Sequence, residues 1–194
     1  MKEKLELRMY GLVPYNISPI QQAIQFGHAV VEYSNHVIFG SFDQSTIELY
    51  KDWAFNWKTF IILNGGTTNY NKVNGKPSGS LNKHLNLLLE KNIPAIEFRE
   101  PDLQDAVTAV VFVVDERAFK RRPYSDDPNE KFYPDFYDYI ISKHGSQIEK
   151  LKLKDGTKLS WEDSYSEDYK EWFNLIGGET NLFLREFLKQ FKLA

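Results

Sequence analysis

A histidine, a carboxylate and two carboxamides recur at helical spacing near the N-terminus. In Tyr15-Asn-Ile-Ser-Pro-Ile-Gln-Gln-Ala-Ile-Gln-Phe-Gly-His-Ala-Val-Val-Glu-Tyr33, residues Gln21, Gln25, His28 and Glu32 follow one another at steps of four, three and four. That spacing places them on one side of a helix. Histidine is the side chain best suited to take a proton from water at neutral pH. Glu32, one turn on, is placed to orient the His28 ring, and the two amides to hold a substrate. The same four side chains also suit a solvated stripe, with a glutamine used as a cap and a histidine satisfied at the core edge. Spacing alone leaves both readings open.

The helix itself is well marked. Ser18 can cap, Pro19 suits the first helical position, and Gln21 stands where a capping box needs a glutamine. Ile20, Ala23, Ile24, Gly27 and Val31 form an apolar face beside the polar one.

Other chemistry is more weakly signalled. Asn64-Gly-Gly-Thr-Thr-Asn69 could cradle a phosphate with its backbone amides, or be a plain turn; it lacks the lysine of a P-loop. Lys58 and Lys83 are the nearest candidate cations. His28, His36, His84 and His144 show no metal-ligand spacing, so no metal and no cofactor is expected. There is no Gly-x-Ser-x-Gly elbow. The absence of cysteine removes disulfides, thiolate ligands and thiol nucleophiles, and fits a reducing cytoplasm.

These residues need elements to position them. Leu5 to Leu12 alternates like a strand, and the first helix runs from Pro19 to about His36. A shorter helix from Ser45, as its cap, to Phe55 precedes Thr59-Phe-Ile-Ile-Leu63, which reads as a strand buried on both faces. A loop extends to Gly79. A helix over 80–92 presents Leu81, Leu85, Leu88 and Leu89, and strands follow at 95–99 and 107–114. The order β-α-α-β-α-β-β predicts an α/β fold: a four-stranded mixed sheet with helices on both faces. Ligands of such sheets sit at the carboxyl ends of strands, which points to the loops after Leu12, Leu63 and Arg99.

Beyond residue 117 the texture changes. Arg117, Lys120, Arg121 and Arg122 form a basic cluster, suited to a solvated loop or to a local basic groove. Tyr133, Phe136, Tyr137, Tyr139, Trp161, Tyr165, Tyr169, Trp172 and Phe173 are interleaved with acidic residues, which favours core packing or a protein contact over RNA stacking. Leu151 to Leu159 reads as a hairpin around Asp155-Gly156, and 179–191 as a closing helix with Phe183, Phe187 and Phe191 in line. The expected organisation is an α/β domain over 1–116 and an aromatic-rich C-terminal extension over 117–194 packed on it.

Gln25-Phe-Gly-His-Ala29, following a strand and a loop, resembles the Gln-Cys-Ser-His-Ala type signature of the type 2 peptidyl-tRNA hydrolases. Trp57 to Leu63 resembles that family's second strand, Leu87 to Pro94 its helix leading into strand three, and Gln104 with Thr108 to Val114 its Thr-Gln loop and last strand. The resemblance covers Lys4 to Asp115. With Asn64 to Asn69 and Glu100-Pro-Asp-Leu103 included, the chain is more similar still to uncharacterised bacteriophage proteins of the same fold. Three departures stand out. Gln21 occupies the place of the family lysine, and Arg99-Glu-Pro-Asp-Leu-Gln104 replaces Asp-Ala-Gly-Arg-Thr-Gln, so the aspartate and the threonine are both missing. Glu100 or Asp102 supplies a carboxylate there only if the turn is rebuilt.

The resemblance implies a divergent hydrolase of the ester bond in a peptidyl-tRNA or tRNA-like substrate. His28, Gln25, Glu32, Glu100 and Asp102 are then the catalytic candidates. Gln21, Lys58, Thr67, Thr68, Asn69 and Gln104 are the substrate-binding ones. The alternative is a non-catalytic phage protein that binds a host protein or a nucleotide through the cleft or the extension. The implied partners are tRNA or a host protein in the host bacterial cytoplasm, with monomer and homodimer both open. A net charge of −3 counts against a general nucleic-acid binder. The longest apolar run, Val107 to Val114, is too short to cross a bilayer.

Overall fold

Strand β6 (Ala106–Asp115) is buried along nearly its whole length. It lies between β1 (Leu7–Val13) and β5 (Ala95–Glu100), and β2 (Thr59–Asn64) flanks β1 to give the order β2-β1-β6-β5. β1 and β2 are parallel, with Arg8 opposite Thr59, whereas β6 runs antiparallel to both β1 and β5. The sheet is therefore mixed, four-stranded and open. This is the architecture of a computed structural model, which describes residues 4–71, 73, 75–145 and 159–194. The chain divides into two compact units, Met1–Asp115 with Phe187–Ala194, and Glu116–Glu186.

Helix α1 (Pro19–Ile38) starts as its sequence dictates. The Ser18 side chain accepts from the Gln21 amide, and Gln21 Oε1 accepts from Ser18 N at 3.1 Å. After α2 (Gln44–Asp52) a π-helical turn, Trp53–Trp57, leads into β2. The cap of α2 is Asp43, not Ser45: its carboxylate accepts from Thr46 N at 2.8 Å and from Ser45 Oγ at 2.9 Å. A charged acceptor two residues upstream outcompetes the hydroxyl. The loop to Gly79 contains a short antiparallel ribbon, β3 (Asn69–Asn71) with β4 (Lys76–Ser78), before α3 (Ser80–Glu90).

The two faces of the sheet are told apart at adjacent residues of β1. The Phe26 ring lies where a Cβ on Gly11 would stand, 2.2 Å away, so α1 covers the face to which Gly11 belongs. Leu12 points the opposite way, and a Cβ on Gly65 would meet both Leu12 and Leu81 of α3. Helices thus cover both faces. Leu81, Leu85 and Leu88 are buried under α3, each contributing about 1.5–3 kcal/mol of transfer free energy.

One expectation is corrected here. Strand β2 is not buried on both faces but is an edge strand, with Phe60 exposed; a short apolar run does not reveal its place in the sheet order. Its edge is covered by the last residues of the chain, through Asn64 N to Lys192 O at 2.9 Å and Ala194 N to Ile62 O at 3.0 Å. In α1 the buried residues are Gln25, Phe26, Ala29, Tyr33 and Val37, while the apolar face of Ile20, Ala23, Ile24, Gly27 and Val31 is exposed. Phe26 and Tyr33 carry more apolar surface inward than the smaller residues could.

The second unit contains α4 (Glu116–Phe119), α5 (Phe136–His144), α6 (Trp161–Ser164), α7 (Ser166–Leu175) and most of α8 (Glu179–Leu188). Its aromatic residues build a core: Phe136 stands edge-on to Tyr169 with ring centroids 5.2 Å apart, and Trp172 packs on both. Arg185 is fully buried in this unit. It donates to Arg117 O at 2.6 Å, Tyr133 O at 2.8 Å and Asp135 Oδ1 at 2.8 Å. Burial lowers its pKa to about 10. Two members of the basic cluster are held in internal ion pairs, Lys120 with Glu130 and Arg121 with Asp135. The Leu151–Leu159 hairpin lies outside the described residues, apart from Leu159. Among the described residues no helix is long and apolar enough to cross a membrane.

Candidate functional site

The parallel pairing of β1 with β2 and the antiparallel course of β6 bring Val13, Asn64, Glu100 and Ala106 to one edge of the sheet. The loops leaving that edge enclose a hollow of about 350 Å³. Asn16 and Thr68 form one wall through a two-way bond: Asn16 Nδ2 donates to Thr68 O at 2.8 Å, and Thr68 N donates to Asn16 Oδ1 at 3.1 Å. Asp102, Leu103 and Gln104 form the opposite wall, with Asn69 at the rim. Thr68 Oγ1 is buried there without a hydrogen-bond partner.

Behind the second wall lies a polar relay. Gln25 Nε2 donates to Glu100 Oε2 at 2.6 Å, and Gln25 Oε1 accepts from Thr108 Oγ1 at 2.7 Å. Two local distortions make it possible. The β5–β6 register shifts between Phe98, opposite Ala109, and Arg99, opposite Val107, which leaves Thr108 in a bulge. A bulge re-aims its side chain, here toward α1. The turn itself passes through Pro101–Leu103, and then Gln104 and Asp105 both adopt left-handed backbone, at φ 58° and 57°. Two consecutive non-glycine residues in that region are uncommon and costly. The turn places the Glu100 carboxylate against α1, with its Oε1 also accepting from Asp102 N at 3.5 Å.

The residues singled out in the sequence fall into distinct places. Gln25, Glu100, Asp102, Gln104, Thr68 and Asn69 are gathered at or behind the hollow. His28 is exposed beside the relay, its ring 4.6 Å from that of Phe98, and Glu100 bonds to Gln25. Glu32 belongs to a different hollow, with His36 and Arg99. Gln21 is engaged with Ser18 in the capping box. Lys58 precedes β2 at the opposite edge of the sheet, where its Nζ donates to Phe55 O. Thr67 organises the start of α3, accepting from Ser80 N at 3.3 Å.

The glycine-rich loop is not a phosphate cradle. Its four consecutive amides are all engaged within the protein: Gly65 N with Val13 O, Gly66 N with Asn64 Oδ1, Thr67 N with Ser80 Oγ, and Thr68 N with Asn16 Oδ1. On the other side of that loop His84, with Tyr15, Phe191 and Lys192, lines a further hollow of about 360 Å³. Desolvation, and then the Lys83 charge, hold the His84 pKa below its ordinary value. Among the described residues no group of three or more histidine, aspartate or glutamate side chains stands together as a metal site.

Sequence reasoning missed Asn16 and Thr108. Thr108 had a signal, being the one polar residue within the apolar run Val107–Val114. Asn16 had none, because its role depends on a loop 52 residues away. Compared with known proteins, the chain matches no family model and no curated protein.

Proposed function

We propose that the carboxyl-edge hollow is a hydrolase site for an acyl ester of the peptidyl-tRNA kind, with Glu100 as the residue that activates water. The observation that carries this reading is the Gln25–Glu100–Thr108 relay. A carboxylate held by a buried amide, at the start of the turn whose following residues line the hollow, is a candidate to accept a proton from a water molecule. Asn69 and Gln104, which line the hollow, are the candidate amide donors for the oxyanion that forms when the hydroxide adds to the ester carbon. The leaving ribose hydroxyl recovers the proton from Glu100. The resemblance to the type 2 peptidyl-tRNA hydrolases supports the same reaction class, with the carboxylate supplied one residue later in the turn.

One observation favours a second reading, binding without turnover. The residues lining the hollow include one carboxylate, Asp102, and no cation, and Gln21 in the place of the family lysine is tied to Ser18. A polyanionic RNA gains no charge-assisted contact there. The hollow then suits a neutral ligand rich in hydroxyl or amide groups. Release of peptide from a peptidyl-tRNA analogue separates the two: turnover abolished by Glu100→Gln supports the hydrolase, and saturable binding without turnover supports the binding protein.

A further inference from the structure

The sheet has two edges, and the chain treats them differently. The outer edge of β2 is closed by residues 192–194, through Asn64 N to Lys192 O and Ala194 N to Ile62 O. Strand β5 ends the sheet on the other side, and among the described residues no backbone group bonds to its outer edge. Its six residues, Ala95-Ile-Glu-Phe-Arg-Glu100, contain neither proline nor lysine, the residues that commonly blunt an open edge. The bulge beside it belongs to β6, where Thr108 is the extra residue, so β5 keeps a regular course.

Two contacts show which backbone groups of β5 face outward. Phe98 O accepts from Thr108 Oγ1 at 3.4 Å, and Glu100 O accepts from Asp105 N at 3.1 Å, so both carbonyls point toward β6. Bonding groups alternate along a strand, and Glu97 and Arg99 therefore turn their N–H and C=O away from the sheet. Their side chains share one face, with Arg99 Nη2 3.1 Å from Glu97 Oε1. Beside this edge Glu32 and His36 of α1, with residues 96–99, line an open hollow of about 370 Å³.

We infer that β5 pairs antiparallel with β5 of a second copy, about a two-fold axis at Phe98, to make one continuous sheet. An axis there sets Glu97 against Arg99 of the second copy, and the contact occurs twice by symmetry. Each of these pairs exchanges two backbone hydrogen bonds and brings opposite charges together, while Phe98 meets its own copy in the closer, non-bonded pairing. The charges select this register. An axis at Glu97 or at Arg99 opposes like charges, and one at Ile96 leaves Arg99 beyond the pairing.

The helices fit the same arrangement. α1 packs over both β5 and β6. With strands about 4.8 Å apart, the axis brings the two α1 helices to about 10 Å, an ordinary packing distance. His28, whose ring stands beside Phe98, then lies next to the axis, with Glu32 and His36 along the seam. A carboxylate between two imidazoles suits that seam to hydrogen bonds rather than apolar burial. One short edge and a polar seam make a small interface, so the association is reversible and micromolar. The inference stands whether or not the carboxyl-edge hollow is catalytic.

The test is sedimentation velocity on the full chain from about 1 to 300 μM, the range that a small interface calls for. Wild-type protein should pass from monomer to dimer across it. Glu97→Arg and Arg99→Glu each set like charges across the axis, and each should weaken the dimer by about tenfold or more with unchanged circular dichroism. The paired reversal Glu97→Arg/Arg99→Glu should restore it, a result that loss of fold cannot give. Because the chain has no cysteine, Phe98→Cys adds a geometric check: mild oxidation should link two copies at the axis, and Val73→Cys, at a fully exposed loop position, should not cross-link. Wild-type protein that stays monomeric at the highest concentration, single reversals without effect, or a paired reversal that restores nothing overturns the inference.

Discussion

Gln25 on α1 and Glu100 at the end of β5, 75 residues apart in sequence, are joined by a hydrogen bond of 2.6 Å. Their contact fixes how the β5–β6 turn lies on the first helix. It also explains why a polar side chain occupies a buried position of α1: both ends of the Gln25 amide are used, one by Glu100 and the other by Thr108.

Gln25→Leu leaves the Thr108 hydroxyl with only its 3.4 Å contact to Phe98 O and frees Glu100 from the helix. The expected loss is about 1–3 kcal/mol, the range for stranding a buried polar partner. Urea unfolding should show it, and the double variant Gln25→Leu/Thr108→Val should recover part, since both partners are then apolar.

Gly11→Ala drives a methyl group into the Phe26 ring, 2.2 Å from where its Cβ must lie. Overpacking of this kind should destabilise the protein by about 1–3 kcal/mol. Thermal melting measures it, and Phe26→Leu in the Gly11→Ala background should restore some of the loss. If Gly11→Ala melts like wild type, α1 does not lie on β1 as described.

Two of the groups that shape the response to acid act with the same sign but in different windows. His84 has a pKa lowered by desolvation, so the folded state holds fewer protons and stability falls as pH drops below the ordinary value of 6.5. Glu130 accepts from Tyr124 N and from Ser125, which brings its carboxyl from 4.5 to about 2, so its contribution is present above pH 4.5 and is lost as pH falls toward 2. In chemical denaturation at a series of pH values, His84→Leu should reduce the slope in the upper window only, and Glu130→Gln the slope in the lower one only, where Asp43, Asp168 and Glu171 keep a part of it.

Arg185→Met removes the donor to Arg117 O, Tyr133 O and Asp135. The second unit should lose about 2–4 kcal/mol, because the Arg117 and Tyr133 carbonyls lose their charged donor together and Asp135 is left with Arg121 alone. Arg185→Lys should recover only part, since an ammonium lacks the planar fork that reaches all three.

What the sequence revealed and what it concealed follow from the range of the interactions involved. The start of α1 was legible because Ser18, Pro19 and Gln21 act within three residues of one another. The mixed four-stranded sheet was legible from the alternation of strand and helix patterns. The edge position of β2 was not, since it depends on where residues 192–194 return. The ribbon of β3 and β4 was hidden because three-residue strands carry no period. Within the site, the β5–β6 turn carries Glu100 to Gln25 through left-handed Gln104 and Asp105, a backbone course that the residue types of Arg99–Gln104 do not announce. The orientation of α1 was hidden for the opposite reason. Composition marks the Ile20–Val31 face as apolar without saying which face turns inward, and the helix turns Gln25 and two aromatic rings inward.

The measurement that most directly tests the proposed chemistry is peptide release from a peptidyl-tRNA analogue by wild type, Glu100→Gln and Gln25→Leu, purified in parallel. Glu100→Gln retains an oxygen to accept from Gln25 but loses the base, so the account predicts release by wild type and a loss of about 100-fold or more in Glu100→Gln, the size expected for a general base. Gln25→Leu, which frees the carboxylate without removing it, should fall between the two. Absence of release by wild type at high enzyme concentration, or release unchanged in Glu100→Gln, contradicts the account.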